Sequence, residues 1–578
     1  MGQIMKNISE INYIKISFLF GFLLLSVIGC SDENKEQSVM IKGQNQPNIL
    51  MIVVDDLGYT DLGAFGSEIA TPNLDALANA GMMFTNYYVA PTCSPTRAML
   101  LSGVDNHLAG MGTMYNEQSN NQKDIPGYEG YLNFQVAALP NILKDNGYHT
   151  YMTGKWHLGY DEETSPTARG FERSYALLAG GAGHFSNMMS ILGSNKAPYR
   201  EDGVLIDSLP EDFYSTKFYT NKMIEYIDSN HSDDKPFFGY LAYTAPHWPL
   251  QAPMKSIQKH AGNYDAGYEI LYKERMQKLK AMGLIDLDMP DSLSLPDDTP
   301  WNDLSDEEKK RSSRLMEIYA AMVSDLDHYV GNLIDHLKDI GQFENTFIFF
   351  MSDNGAEGHP LDKSFSEYGI ANKLSSCCDH SYENMGNDNS YLWYGPEWAR
   401  AGVGPWRRFK GFTSEGGIRA PAFAHYPALN NSTIKDSIIH VKDVMPTLLE
   451  LAKIAHPGTI YKDREIIPMQ GTSILPLLMN EVDYVHDQHY VEGWELFGKT
   501  AVRKGDWKII QEPQGDFFSW QTPLADNYDW LLFNLKEDPS ELNNLAKTQP
   551  KKMEEMLAAW QIYKEKNNVI IPESVMGF

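Results

Sequence analysis

The chain has 578 residues, 43% of them hydrophobic and 12% aromatic, and a formal net charge of -28. That length exceeds one ordinary compact core, so a large domain with a smaller companion is expected. The acidic balance speaks against nucleic-acid binding and against electrostatic docking on anionic lipid, because both need clustered Lys and Arg.

Lys6 and Lys15 precede the apolar run ISFLFGFLLLSVIG, which is too short to span a bilayer comfortably and matches a signal-peptide core. It ends in Val27-Ile28-Gly29-Cys30, similar to a bacterial lipobox, and SDEN follows. Residues 1–29 read as a lipoprotein signal peptide, Cys30 as the lipidated terminus and 30–46 as a polar tether. The expected location is the outer membrane, cell surface or periplasm of a bacterium, with the membrane engaged only through lipid at Cys30.

From residue 47, apolar strands alternate with helices. Ile49 to Val54 is a continuous run rich in β-branched residues, the pattern of a strand buried on both faces, and it stops at Asp55-Asp56. TPNLDALANAGMMF reads as a helix with Thr71 as cap and Pro72 in its first turn. VAALPNILKDNGYHTYMTGKWHLG reads as a helix, a turn at Asn146-Gly147 and a short strand, and DKPFFGYLAYTAPHWPLQAP holds a further strand closed by prolines. Ser305 to Glu308 forms a capping box ahead of a long helix, with Leu315, Ile318, Met322, Leu326, Tyr329, Leu333 and Leu337 at helical spacing. NTFIFFMSDNGAEG is a second fully apolar strand, ending in Asp353-Asn354, and VKDVMPTLLELAKIA is a helix. This alternation predicts an α/β domain with a mainly parallel sheet over 47–484. Short strands, hairpin turns such as Lys504-Gly505-Asp506 and a final helix near KKMEEMLAAWQIYKEK predict a small antiparallel α+β subdomain over 485–578.

The chain has 4 cysteines. Cys30 is assigned to lipid. Cys377 and Cys378 are adjacent, and the ring closed by an adjacent pair strains its peptide, so no disulfide is expected. Cys93 remains, in PTCSPTRAML with Arg97 close by. It is either a buried small hydrophobe or a nucleophile, or the precursor of one.

Asp55, Asp56, Asp353 and Asn354 end two buried strands, and open α/β sheets bind ligands at the carboxyl ends of their strands. Three carboxylates and an amide suit a hard divalent cation, calcium or magnesium and not zinc. Lys155 and His157, two apart in GKWHLG, would face one side of a strand. His247 lies between Pro246 and Pro249, and Lys410 lies in RRFKGFTSEGGIRAP. With Arg97 and the metal, these groups would clamp a tetrahedral oxyanion, so a sulfate or phosphate ester is the implied substrate.

Cys93-Ser94-Pro95-Thr96-Arg97 followed by AMLLSG resembles the signature of the type I, formylglycine-dependent sulfatases, and GKWHLG is similar to that family's second signature. IATPNLDALA, YEGYLN, PHWPLQAP, YGPEWA and GWELFG extend the resemblance over about 47–565 and are similar to the Pseudomonas-type bacterial arylsulfatases. The resemblance implies an alkaline-phosphatase-like α/β fold and oxidation of Cys93 to formylglycine by a maturation enzyme. It also implies calcium held by Asp55, Asp56, Asp353 and Asn354, with residue 93 approaching the ion. Arg97 would hold the hydrated aldehyde, Lys155, His247 and Lys410 the sulfate and its leaving oxygen, and His157 the hydroxyl at residue 93. Pro95 would bias Ser94 towards the extended form that a maturation enzyme reads. The acidic surface favours small aryl or alkyl sulfates over sulfated carbohydrate polymers. The rival readings are a phosphodiesterase or phosphonate monoester hydrolase on the same scaffold, and a surface lipoprotein that binds sulfated glycans without cleaving them.

Overall fold

A computed structural model describes residues 46–575 apart from 192–195, 290–298, 362–373, 375, 376, 430, 513–521 and 524–527. The expected leader, Cys30 and all of the tether but Gln46 lie outside the described residues. Among the described residues, no helix is long and apolar enough to cross a membrane.

The centre is a ten-stranded sheet. In chain order its strands are β1 (Asn48–Val54), β2 (Met82–Phe84), β3 (His149–Lys155), β4 (Arg173–Leu177), β5 (Tyr199–Glu201), β6 (Val204–Ile206), β7 (Phe237–Ala242), β8 (Thr346–Ser352), β9 (Ala422–His425) and β10 (Thr433–Lys435). Across the sheet they run β10-β2-β9-β8-β1-β7-β3-β4-β5-β6. The block β8-β1-β7-β3-β4 is parallel throughout. β9 is antiparallel to β8 and β2, and β5 and β6 continue the far edge antiparallel.

β1 shows why its sequence is apolar at every position. Leu50, Ile52 and Val54 enter one core, and Ile49, Met51 and Val53 enter the core on the opposite face. Side chains alternate across a strand, so a central parallel strand needs both sets apolar. Each such buried side chain contributes about 1.5–3 kcal/mol. The long helix Asp306–Asp339 covers the first face through Ile318, Met322, Leu326 and Leu333, and both halves of its Ser305–Glu308 capping box are formed. The helices Cys93–Ser102 and Val444–Leu451 cover the second.

Three local expectations change. The helix at Pro72 ends at Ala80, and Met82–Phe84 is strand β2, because Gly81 breaks the helix and the apolar run beyond it pairs with β9 and β10. Thr71 does not cap that helix through its side chain; its hydroxyl joins Asp75 and the Gly63 N–H. Cys377 and Cys378 are joined in a disulfide. Their Cα atoms are 3.7 Å apart, so reach is guaranteed by adjacency, and ring strain does not prevent closure in this loop.

A separate four-stranded antiparallel sheet follows: β11 (Val491–Leu496), β12 (Lys499–Lys504), β13 (Trp507–Gln511) and β14 (Leu531–Asn534). Val502 and Ile509 pack under Met556 and Trp560 of the helix Pro550–Lys566, while Ala501, Ile510 and Trp494 pack on Tyr88 and Ile418 of the main body. The β11–β12 turn uses left-handed Phe497 and Gly498, the backbone a tight hairpin needs. Leu496 and Phe497 at its tip reach an aromatic cluster with Trp248 and Tyr391.

Candidate active site

β1 and β8 are parallel neighbours with Val54 opposite Ser352. Asp55-Asp56 and Asp353-Asn354 therefore leave the sheet together, 298 residues apart in sequence. The Asp353 N–H donates to the Val54 carbonyl at 3.1 Å, and Asn354 Nδ2 donates to Asp56 Oδ1 at 2.7 Å. All four side chains are buried. Burial, with Asp353 and Asp56 adding to it, pushes the Asp55 carboxyl upward even with Lys155 beside it. Among the described residues, Asp55 Oδ1 and Asn354 Oδ1 have no hydrogen-bond partner. Crowded acids in a dry pocket, with two oxygens left over, fit a hard divalent cation. One ligand atom each from Asp55, Cys93 and Asp353 lie within 4.8 Å of one another, as do those of Asp55, Asp56 and His247.

Cys93 opens the helix Cys93–Ser102. Pro95 falls in the first turn, where no N–H is needed, and Gly103 closes the helix in a left-handed cap. In the folded protein the motif is thus helical. The thiol is 2% exposed. Burial pushes it up to about 11, and the ammoniums of Lys155 and Lys410 do not offset that.

Arg97, one helical turn on, donates from Nε to Asp353 Oδ2 at 2.8 Å and from Nη1 to the Lys155 carbonyl at 2.9 Å, with Nη2 2.7 Å from Asp353. Lys155 ends β3 and donates to Asp55 Oδ2 at 2.7 Å. Lys410 Nζ lies 2.8 Å from Asp56 Oδ1 and 3.0 Å from Oδ2. Burial alone would lower the Lys410 ammonium, but the anionic groups around it, Asp56 first, hold it well above its ordinary value. The Gly411 N–H donates to the Pro91 carbonyl at 2.7 Å, which ties the Lys410 loop to the segment just before Cys93.

His157 lies beyond the end of β3, in a left-handed conformation with φ 56°. Its position next to Lys155 therefore comes from a turn and not from strand alternation. Burial, then Lys155, Arg97 and Lys410, keep its ring well below the ordinary imidazole value. His247 Nδ1 lies 2.5 Å from the Trp248 carbonyl, which assigns the proton to that nitrogen and turns Nε2 to within 3.6 Å of Asp56. Its ring too is held neutral, by burial and then by Lys410 and Lys155.

Several residues that shape the pocket went unread in the sequence. A Cβ on Gly180 would sit 2.7 Å from His157, and one on Gly181 would sit 3.0 Å from His247. The glycine pair makes room for both imidazoles, and a GG run after an apolar strand was the available signal. His184 Nε2 lies 3.0 Å from the His247 carbonyl. Glu357 lies 3.2 Å from Lys410 Nζ. Burial would push its carboxyl up, but Lys410 and His359 outweigh that and hold it at about 2. Neither His184 nor Glu357 stands in a motif whose spacing points here.

The chain matches the Sulfatase family over residues 47–454, and the family described as N-sulphoglucosamine sulphohydrolase, C-terminal, over 404–566. An uncharacterized sulfatase of Schizosaccharomyces pombe is 42% identical over 544 residues, covering 91% of this chain and 94% of the relative. An arylsulfatase of Klebsiella aerogenes is 38% identical, covering 75% of this chain and 92% of its own length. The crystal structure of Ps i-CgsB in complex with k-i-k-neocarrahexaose superposes with a TM-score of 0.63 at 24% identity, over 91% of this chain and 94% of that one. Agreement over nearly the whole chain, on top of the convergent acids and cations at the ends of β1, β3 and β8, leads to one conclusion: the chain belongs to the type I sulfatases and is a sulfuric ester hydrolase.

Proposed function

We propose that the enzyme hydrolyses sulfate monoesters using a formylglycine made from Cys93 and a divalent cation, calcium before magnesium, held by Asp55, Asp56, Asp353 and Asn354. The observation that carries this reading is a buried thiol, in the first turn of a helix, that shares a 4.8 Å cluster with two carboxylates and is pushed up to about 11. A thiol that keeps its proton is a poor nucleophile. A maturation enzyme's conversion of it to an aldehyde hydrate would supply two hydroxyls on one carbon, and the cation would supply Lewis-acid charge.

The chain's own residues do the rest. Arg97 fixes Asp353 and brings positive charge to residue 93. Lys155 neutralises the non-bridging ester oxygens. His157, held neutral, is able to accept a proton from a hydroxyl at residue 93. Lys410 supplies standing positive charge at the leaving oxygen, and His247, neutral at rest with Nε2 bare, delivers a proton to that oxygen only after Nε2 has first taken one up.

Small aryl or alkyl sulfates are the favoured substrates, with sulfated carbohydrates second. The Trp248 ring lies 4.8 Å from that of His247, and Tyr391, Met189 and Ile191 join the same apolar cluster. An aromatic leaving group meets an apolar wall there. Mass spectrometry of the peptide carrying residue 93, with metal analysis and hydrolysis of an aryl sulfate, tests the reading. Replacement of CH2SH by CHO is expected, and an active enzyme with an intact thiol would overturn it. The lipobox-like end of the leader supports a lipid anchor at Cys30, at the outer membrane, cell surface or periplasm of a bacterium. Loss of detergent-phase partitioning in Cys30→Ala, with activity kept, is the expected result.

A further inference from the structure

Glu357 is a buried acid that the proposed chemistry does not use, three residues past Asn354. Its two oxygens face different groups: Oε1 is hydrogen-bonded, whereas Oε2 makes an ion pair and, among the described residues, no hydrogen bond. Oε1 accepts from the His359 N–H at 2.8 Å and lies 2.6 Å from His359 Nδ1. Oε2 lies 3.2 Å from Lys410 Nζ. The His359 ring is clamped in turn. It stacks on Phe412 at 5.9 Å with an interplanar angle of 2°, and meets Phe409 edge-on at 5.3 Å. Those two phenylalanines flank Lys410 in sequence, and the Lys410 N–H donates to the Ala356 carbonyl at 3.0 Å. The loop carrying the acid and the loop carrying the ammonium are therefore one packed unit.

A lysine is a compact charge on a flexible four-carbon stem, so its direction is set by what holds Nζ. Asp56 pairs with it at 2.8 Å, but Asp56 is also a proposed ligand of the cation. Glu357 Oε2 pairs with it at 3.2 Å, and Oε1 is committed to His359. We propose that Glu357, clamped by His359, is a positioning residue that sets Lys410 Nζ towards the departing ester oxygen. This rests on the reading that Lys410 serves the leaving group.

The test uses the full-length mature enzyme and aryl sulfates whose phenols span a range of pKa. Glu357→Ala, Glu357→Gln, Lys410→Ala and the double variant Glu357→Ala/Lys410→Ala are compared. Rates are normalised to the fraction of residue 93 converted and to bound metal. If Glu357 acts through Lys410, Glu357→Ala lowers kcat about 10- to 100-fold for basic leaving groups, somewhat less than the roughly 10²–10³-fold loss of an oxyanion-stabilising donor removed outright. It changes kcat little for acidic leaving groups and leaves KM nearly constant. Glu357→Gln, which keeps an acceptor oxygen, recovers part of the loss. The double variant is no slower than Lys410→Ala, because the two losses are one loss. Equal loss across all phenols, or a double variant slower by the product of both effects, overturns the positioning role. A flat response in Lys410→Ala itself instead sinks the leaving-group role of Lys410, so the two failures are distinguishable. Glu357→Gln keeps size and burial, and it carries the test if the alanine variant does not fold.

Discussion

Cys93 is the wrong group for the reaction while it remains a thiol, because it is buried, protonated and surrounded by acids. Cys93→Ala is expected to reduce sulfatase activity to background while leaving the melting temperature nearly unchanged, since a small side chain is lost from an already packed helix start. Activity within tenfold of the parent would falsify the proposed nucleophile. Asp353→Ala behaves differently. It removes a proposed metal oxygen and a carboxylate partner of Arg97, which is 0% exposed. Stranding a buried guanidinium costs about 3–5 kcal/mol, so metal content and thermal stability should fall together. Unchanged metal content in the purified variant would exclude Asp353 as a ligand. Gly180→Ala tests space alone. A methyl 2.7 Å from the His157 ring displaces it, so kcat should fall with the fold and metal intact, as judged by circular dichroism and metal analysis.

At the scale of elements, the join between the Cys93 helix and the C-terminal sheet is ionic. His107, just beyond that helix, lies 2.8 Å from Asp105 and 3.2 Å from Glu495 of β11. Burial lowers its ring, but hydrogen bonds to both carboxylates outweigh this and raise it to about 9. A raised imidazole stabilises the fold fully below its unfolded value of about 6.5, and that contribution is lost as pH rises through about 9. The size is about 3 kcal/mol. Thermal melts between those limits should show stability falling with pH, and His107→Gln should flatten that slope. An equally steep slope in the variant would assign it to other groups. Ser305→Ala offers a contrast: it opens a capping box at the far end of a long helix, and should cost about 1 kcal/mol without changing kcat.

At the scale of the molecule, a pocket that the proposed divalent cation would make net positive sits in a chain of net charge -28. A long sulfated polymer would lay many like charges on that surface, whereas a small ester brings one. Screening acts over about 8 Å at physiological ionic strength, so the repulsion should matter most at low salt. Catalytic efficiency on an aryl sulfate should exceed that on an intact sulfated polysaccharide, with the gap narrowing as salt rises. A polymer preferred at low salt would reverse the substrate assignment.

Local pattern carried much of this protein. Continuous apolar runs announced β1 and β8, and Ser305 announced the helix Asp306–Asp339, because burial and capping impose composition on neighbouring residues; the acids at the strand ends marked the candidate cation site. Pattern misled where a competing partner decided the outcome, as at Met82–Phe84, which β9 and β10 took into the sheet, and at His157, where a turn replaced the strand. By itself, then, the sequence determined the class of fold and the family, and it marked the strand-end acids and the Cys93–Arg97 segment as candidates for the site. Tertiary structure alone decided that β8 lies beside β1, that Gly180 and Gly181 clear space for two imidazoles, and that Glu357 and His359 brace Lys410. The physical reason is that periodicity encodes which face of an element is buried, whereas strand order and loop docking depend on non-local packing, for which no local run of residues carries a mark.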